Sequence, residues 1–310
     1  MTEEATDMRG IVGELRAASG EAIDAAWDRL FRTQPETYLH DAGALIDLAA
    51  LTGEYRTVTS HKGVLPSYLH GVLASDVGMR LPQQCKDAVL TALARVGSAP
   101  DVVEILDEKG DRNKPFKFEM PARTHSREDS LGALEFLTEL SHMGFQLPED
   151  AMSELRNILG GSIPPGDEIL GSEAVKSALN QTRADFEGRR IDLAFDALAA
   201  AAANQYLGDD TFRLFESLPL SFYGDRKRGS LALSSISRPE GGGSVATGHI
   251  DANRQKANDV IAAIRQRASL EQNKDVADPF GPEIMRIEPP AAGDKPRIIQ
   301  LPTPQRRNAL

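Results

Sequence analysis

Apolar residues recur at intervals of three and four along most of the first 220 positions, the spacing that lines one face of an α-helix. Ala22, Ile23, Ala26, Trp27, Leu30 and Phe31 form one such face, which stops before Pro35. Leu39, Ala42, Leu45, Ile46, Ala49 and Leu51 form the next, which runs to Gly53. A third helix is predicted over 65–77, with Pro66 in its first turn, where a missing N–H costs nothing. Pro82 opens a helix carrying Ala88, Val89, Ala92, Leu93 and Val96 and closed by Gly97, and a short helix follows over 101–108. After a polar stretch, Ser126 and Asp129 form an N-terminal capping signature for a helix that ends at Gly144. Further helices are expected from Pro148 to Gly160, over 168–180, over 191–206 and over 209–218, the last stopped by Pro219. The pattern predicts an all-α body over residues 1–220, built of stacked antiparallel helix pairs, a helical-repeat-like architecture. Its composition agrees. Aromatics are 5% of the chain and Trp27 is the single tryptophan, so the core is aliphatic and alanine-rich, as close helix packing prefers.

Two segments echo each other at an offset of 66 residues. Gly78-Met79-Arg80-Leu81-Pro82 and Gly144-Phe145-Gln146-Leu147-Pro148 each end one helix, tuck a leucine under the turn and start the next helix with proline. Within the first of these units, residues 85–107 place Ala88, Leu90 and Leu93 before a Val96-Gly97 turn, then Val102, Val103 and Leu106. That stretch resembles a HEAT-type helical repeat. The resemblance covers some 23 residues and departs at once, because the loop over 109–125 is long and charged. It implies a stacked scaffold that binds partners along one surface, and no chemistry.

Charge changes the picture near residue 220. Lys and Arg number 21 against 36 Asp and Glu before it, a net −15, and 14 against 10 after it, a net +4; together these give the overall −11. The expected organisation is the helical body over 1–220, a basic and Gly/Ser-rich linker over 221–250, a single amphipathic helix over 251–274, and a disordered proline-rich tail over 275–310. The helix carries Val260, Ile261, Ile264 and Leu270 on a narrow stripe, suited to docking by one edge or lying free. The final 32 residues hold seven of the 18 prolines.

Candidate chemistry is sparse. Cys85 is alone, so there is no intramolecular disulfide and no thiolate zinc cluster. His40, His61, His70, His125, His142 and His249 show no metal-ligand spacing. Among these, His40, His61, His70 and His142 are the places where an enzyme would need two histidines near an acid. Gly243 to Gly248 has phosphate-loop spacing, yet His249 and Ile250 stand where Lys and Ser or Thr belong, so a linker is the better reading, with Ser230 to Ser237 a possible strand before it. The adjacent acids Glu149-Asp150 and Asp209-Asp210 fall in helix first turns, where they meet the dipole. No catalytic residue, metal or cofactor is called.

Candidate partner-binding residues are basic and aromatic. Lys114, Phe116, Lys117 and Phe118 interleave charge with rings in the 109–125 loop, either anchoring it or stacking on single-stranded nucleic acid. Arg226, Lys227 and Arg228 form a short basic run just past the body. Arg297 opens Arg297-Ile298-Ile299-Gln300-Leu301, a segment able to add to a partner's sheet edge. Arg306 and Arg307 near the C-terminus resemble the basic export signals of proteins sent through bacterial type IV secretion machines. The acidic body opposes nucleic-acid binding, and no stretch approaches the roughly 18 apolar residues of a membrane helix. The expectation is a bacterial, cytoplasmic, non-enzymatic adaptor that binds protein partners. The alternatives are a secreted effector, a nucleic-acid-associated regulator using the basic loop and linker, and an enzyme with an unrecognised site in the body.

Overall fold

A computed structural model describes residues 8–17, 21–54, 64–99, 126–161, 173–224, 228–238 and 248–270. Among them lie eleven α-helices and no strand: α1 (Met8–Ala17), α2 (Glu21–Phe31), α3 (Ala42–Glu54), α4 (Val64–Ala74), α5 (Gln83–Gly97), α6 (Arg127–His142), α7 (Glu149–Gly160), α8 (Glu173–Ala201), α9 (Asp209–Ser217), α10 (Arg228–Ser237) and α11 (Gly248–Leu270).

The helices stack in two layers. In one layer α1, α3, α5, α7, α9 and α11 each pack on the next, and in the other α4, α6, α8 and α10 do the same. The layers meet where α3 packs on α4, α4 on α5, α5 on α6, α7 on α8 and α10 on α11. Contacts between alternate helices advance in the same direction along both partners. Between α9 and α11, Asp209 pairs with Lys256 and the Glu216 carbonyl accepts from Arg267; between α6 and α8, Arg127 lies over Phe186 and the Ser141 carbonyl accepts from Asn204, just past the end of α8. Alternate helices are therefore parallel and successive ones antiparallel. This is the all-α stack of helix pairs that the apolar periodicity predicts.

Local chemistry sets the helix ends. Ser126 Oγ accepts from Asp129 N at 3.1 Å while Asp129 accepts from Ser126 N, a complete capping box at the start of α6. Pro82 and Pro148 sit at the N-caps of α5 and α7 in extended backbone, with Leu81 and Leu147 buried just before them. The core is mainly Leu, Ala, Val and Ile, with Trp27 and Tyr38 buried toward one end and Phe195, Phe215 and Tyr223 toward the other.

Two polar nodes tie the layers together. The Gly97 carbonyl at the end of α5 accepts from Ser130 Oγ of α6 at 2.8 Å and from Arg190 Nε of α8 at 3.2 Å. Arg190 is buried, paired with Glu187 at 2.9 Å and laid over the Phe186 ring, so its charge is compensated and also faces a helix C-terminus. Buried Asn253 of α11 donates to the carbonyls of Ala202 and Gln205, both at 2.8 Å, and accepts from Leu207 N. Gln205 in turn donates to the Leu147 carbonyl and accepts from Leu147 N, joining the turn after α8 to the turn after α6.

Three features differ from the sequence reading. The helices expected over 168–180 and 191–206 form the single 29-residue α8. Glu187 and Arg190 look like a polar break in sequence, but their mutual pairing lets the helix run through the core. Residues 228–237, read as linker with a possible strand, are helical as α10, and Leu233 and Ile236 join the core. α11 docks through Asn253, Ala257, Val260, Ile261 and Ile264, whereas Leu270, placed on the same stripe, is exposed. The second helix of the HEAT-like unit, 101–108, lies outside the described residues.

Candidate partner-binding face

The layer made of α3, α5, α7 and α9 carries two open depressions side by side. The first, about 470 Å³, is floored by Ile46, Ala49, Ala88 and Ala92 of α3 and α5 and rimmed by Asp87, Arg95, Glu149 and Asp150. The second, about 700 Å³, lies between α7 and α9, with Arg156, Asn157 and Gly160 on one wall and Asp210, Arg213 and Leu214 on the other. An ion pair between Glu149 and Arg156 runs along α7 from one depression to the other. Those residues stand seven apart, two helical turns or about 10 Å. The floor of the first depression is mostly alanine. The rim alternates sign: Gln83 donates to Asp87 at 2.8 Å, Arg95 lies 4.0 Å from Glu154, and Arg213 lies 3.5 Å from Asp210.

The other layer holds a groove of about 640 Å³ between α6 and α8, lined by Glu135, Glu139, His142 and Asp196. His70 of α4 reaches this acidic strip. Its Nε2 is 3.1 Å from Glu139, and its ring stacks on Phe136 at 4.3 Å and 12°. Burial lowers the His70 pKa, and the Glu139 carboxylate opposes that shift without cancelling it. The remaining perturbed groups belong to the core or to surface pairs. Tyr38 and Tyr68 share a 2.8 Å hydroxyl contact and burial raises both; burial also raises the Cys85 thiol. Tyr206 donates to Asp209 at 2.5 Å, and Lys256 sits 3.0 Å from the same carboxylate, which together hold Asp209 below its ordinary range. None of these sets joins an activated nucleophile to a base beside a depression. Among the described residues, no group of three His, Cys, Asp or Glu side chains is placed to hold a metal ion.

Of the residues singled out from sequence, Lys114, Phe116, Lys117, Phe118, Arg226, Lys227, Arg297, Arg306 and Arg307 lie outside the described residues. Arg228 is the first residue of α10, and its side chain is outside them too. Among the histidines, His40 follows the 3-10 turn Pro35–Leu39, His142 ends α6 and His249 lies in the first turn of α11, while His61 and His125 are outside the described residues.

Among the rim residues, the sequence marks Glu149, Asp150 and Asp210 only as acids of helix first turns, and it does not mark Asp87, Arg95, Arg156 or Arg213. A signal was present: Gln84, Asp87, Thr91 and Arg95, like Glu149, Arg156 and Gly160, keep a helical period opposite the apolar stripe. Such a period also describes any solvated helix face, so only the side-by-side stacking picks it out. Comparison with known proteins finds no matching family model, no similar curated protein and no similar solved structure. No helix among the described residues is long and apolar enough to cross a membrane.

Proposed function

We propose that this protein is a non-enzymatic interaction scaffold whose docking surface is the α3–α5–α7–α9 face. The observation that carries the reading is the pair of depressions on one layer of a helix stack, with a small-residue floor and a charged rim. A stack of parallel helices presents a regularly grooved surface on which an elongated partner can lie across several helices at once. Apolar contact on the alanine floor would supply affinity, and the alternating rim of Asp87, Arg95, Glu149, Arg156 and Arg213 would set register and reject wrong partners. The partner class favoured is protein, because the acidic body repels phosphate backbones.

Charge reversal on the rim tests the reading. Full-length protein, an Asp87→Lys/Arg213→Glu variant and a control variant on the opposite layer, Glu135→Lys, are compared as capture reagents, with circular dichroism confirming that each folds. A partner bound by the wild type and the control but lost from the rim variant supports the reading. A partner retained by the rim variant and lost from the control moves the surface to α6 and α8.

A further inference from the structure

The chain itself supplies a candidate occupant for the docking face. α11 ends at Leu270, and Arg267 pins that end by donating to the carbonyls of Glu216 and, at 3.3 Å, Leu218 at the close of α9. The end of α11 thus lies next to the close of α9, whose Leu214 and Ser217 line the α7–α9 depression, and forty residues follow it in the sequence. The last sixteen, 295–310, contain Lys295, Arg297, Arg306 and Arg307 and no acidic residue. The neighbouring depression presents Asp87, Glu149 and Asp150, and its Arg95 is directed to Glu154. Pro296, Pro302 and Pro304 bracket Arg297 to Leu301, a sequence that disfavours helix and favours an extended backbone. In an extended segment Ile299 and Leu301 share one face, which matches the apolar floor of Ile46, Ala49 and Ala88.

We propose that residues 295–310 fold back onto the α3–α5–α7 depression and occupy in cis the surface that a partner takes in trans. This rests on the docking-face reading. Reach is adequate. Passing from α11 over α9 and α7 to α5 crosses three helix spacings of about 9–10 Å each which, with about 16 Å along α7, requires about 33 Å. The intervening residues 271–294, if they follow coil statistics, span about 27 Å on root-mean-square average. A tether whose mean length is comparable to the span gives an effective concentration on the order of millimolar, so contacts too weak to act between separate molecules are populated within one. The partner's apparent affinity then falls in proportion to the fraction of protein left open.

The test uses full-length protein with a nitroxide on a cysteine introduced by Gln300→Cys, since the native Cys85 is buried. The expected result is selective loss of amide signal at Ala49, Ala88, Thr91 and Asp150, with Thr138 and Leu193 on the opposite layer unaffected. Reversing Lys295, Arg297, Arg306 and Arg307 to Glu should restore those signals, as should high salt. The same reversal should raise partner capture several-fold. Unchanged signals at the four positions, or loss concentrated at Thr138 and Leu193, overturns the proposal. If that happens while the Asp87→Lys/Arg213→Glu variant still loses its partner, the docking face stands and only the intramolecular occupant falls. If capture survives rim reversal, the docking-face reading itself falls.

Discussion

Gly78 and Gly144 occupy the same place in two look-alike segments, yet they are required for different reasons. A Cβ on Gly78 would lie 1.8 Å from the Leu73 carbonyl oxygen, so the exclusion is steric and involves backbone that cannot swing aside. Gly144 has φ +98°, and the nearest atom to a Cβ there is the flexible end of Met79 at 3.4 Å, so its exclusion is conformational. Gly144→Ala is expected to cost about 1–2 kcal/mol, the usual penalty of a left-handed residue with a side chain. Gly78→Ala should cost more, about 3 kcal/mol or above, because the helix end must open. Asparagine separates the causes in urea unfolding: Gly144→Asn should recover part of the loss, and Gly78→Asn none. The sequence displays the shared grammar of the two turns but hides this difference, since both demands are written with the same letter. A second residue-scale prediction concerns His70. Burial disfavours its charged form, so the folded pKa lies below the unfolded value of about 6.5. The unfolded chain then binds the proton more readily, and stability is full above about pH 6.5 and declines as pH falls toward the folded pKa. His70→Phe preserves the stack on Phe136 and removes the titration. Its stability profile, from urea midpoints at successive pH values, should lose the decline that the wild type shows just below pH 6.5.

At the scale of elements, what periodicity reveals is a buried stripe, and what it conceals is a polar residue buried by agreement with its neighbours. α5, α6 and α7 were legible because their stripes are unbroken and their ends carry a capping box, prolines and glycines. α8 does not show as one helix in the sequence because residues 181–190 are mostly polar, and nothing in one dimension announces that the Gly97 carbonyl and the Phe186 ring await Arg190. α11 gave up Val260, Ile261 and Ile264 but not Asn253, the residue that fixes its register. Asn253→Ala leaves the Leu207 N–H and the carbonyls of Ala202 and Gln205 without that partner in a buried site. Truncation of such a node is expected to cost about 3 kcal/mol, combining one or more unmet polar groups at about 1–3 kcal/mol each with partial relaxation. Asn253→Asp, nearly isosteric, removes both donated bonds and should cost at least as much. Hydrogen exchange would locate the damage: amides of α11 and of residues 202–207 should lose protection before those of α5 and α6.

For the molecule as a whole, the change of charge at residue 220 and the extent of the hydrophobic core do not coincide. Composition marks that boundary because Lys and Arg outnumber Asp and Glu beyond it, but charge resides on surfaces and says nothing about what lies beneath. The packing carries the core onward: Leu233, Ile236, Val260, Ile261 and Ile264 are buried with the residues of the acidic part, and Tyr223 closes the aromatic cluster by donating to the Phe215 carbonyl at 2.5 Å. A protein cut after residue 220 loses all of these. Five large aliphatic side chains at about 2 kcal/mol each amount to about 10 kcal/mol, as much as an ordinary domain's entire stability. In a stack whose units touch mainly their neighbours, terminal elements act as caps, and cutting here would bare Phe195 and Phe215. The expected outcome is that protein ending at residue 220 aggregates or unfolds without cooperativity, while protein ending at residue 270 unfolds cooperatively with a midpoint close to that of the full chain. Thermal unfolding followed by circular dichroism decides it. Equal cooperativity in the two truncations would place the end of the folding unit at 220 and make α10 and α11 an appendage. The expected difference would make residue 270 the point at which scaffold gives way to tail, and would confine any search for a tail-borne partner to residues 271–310.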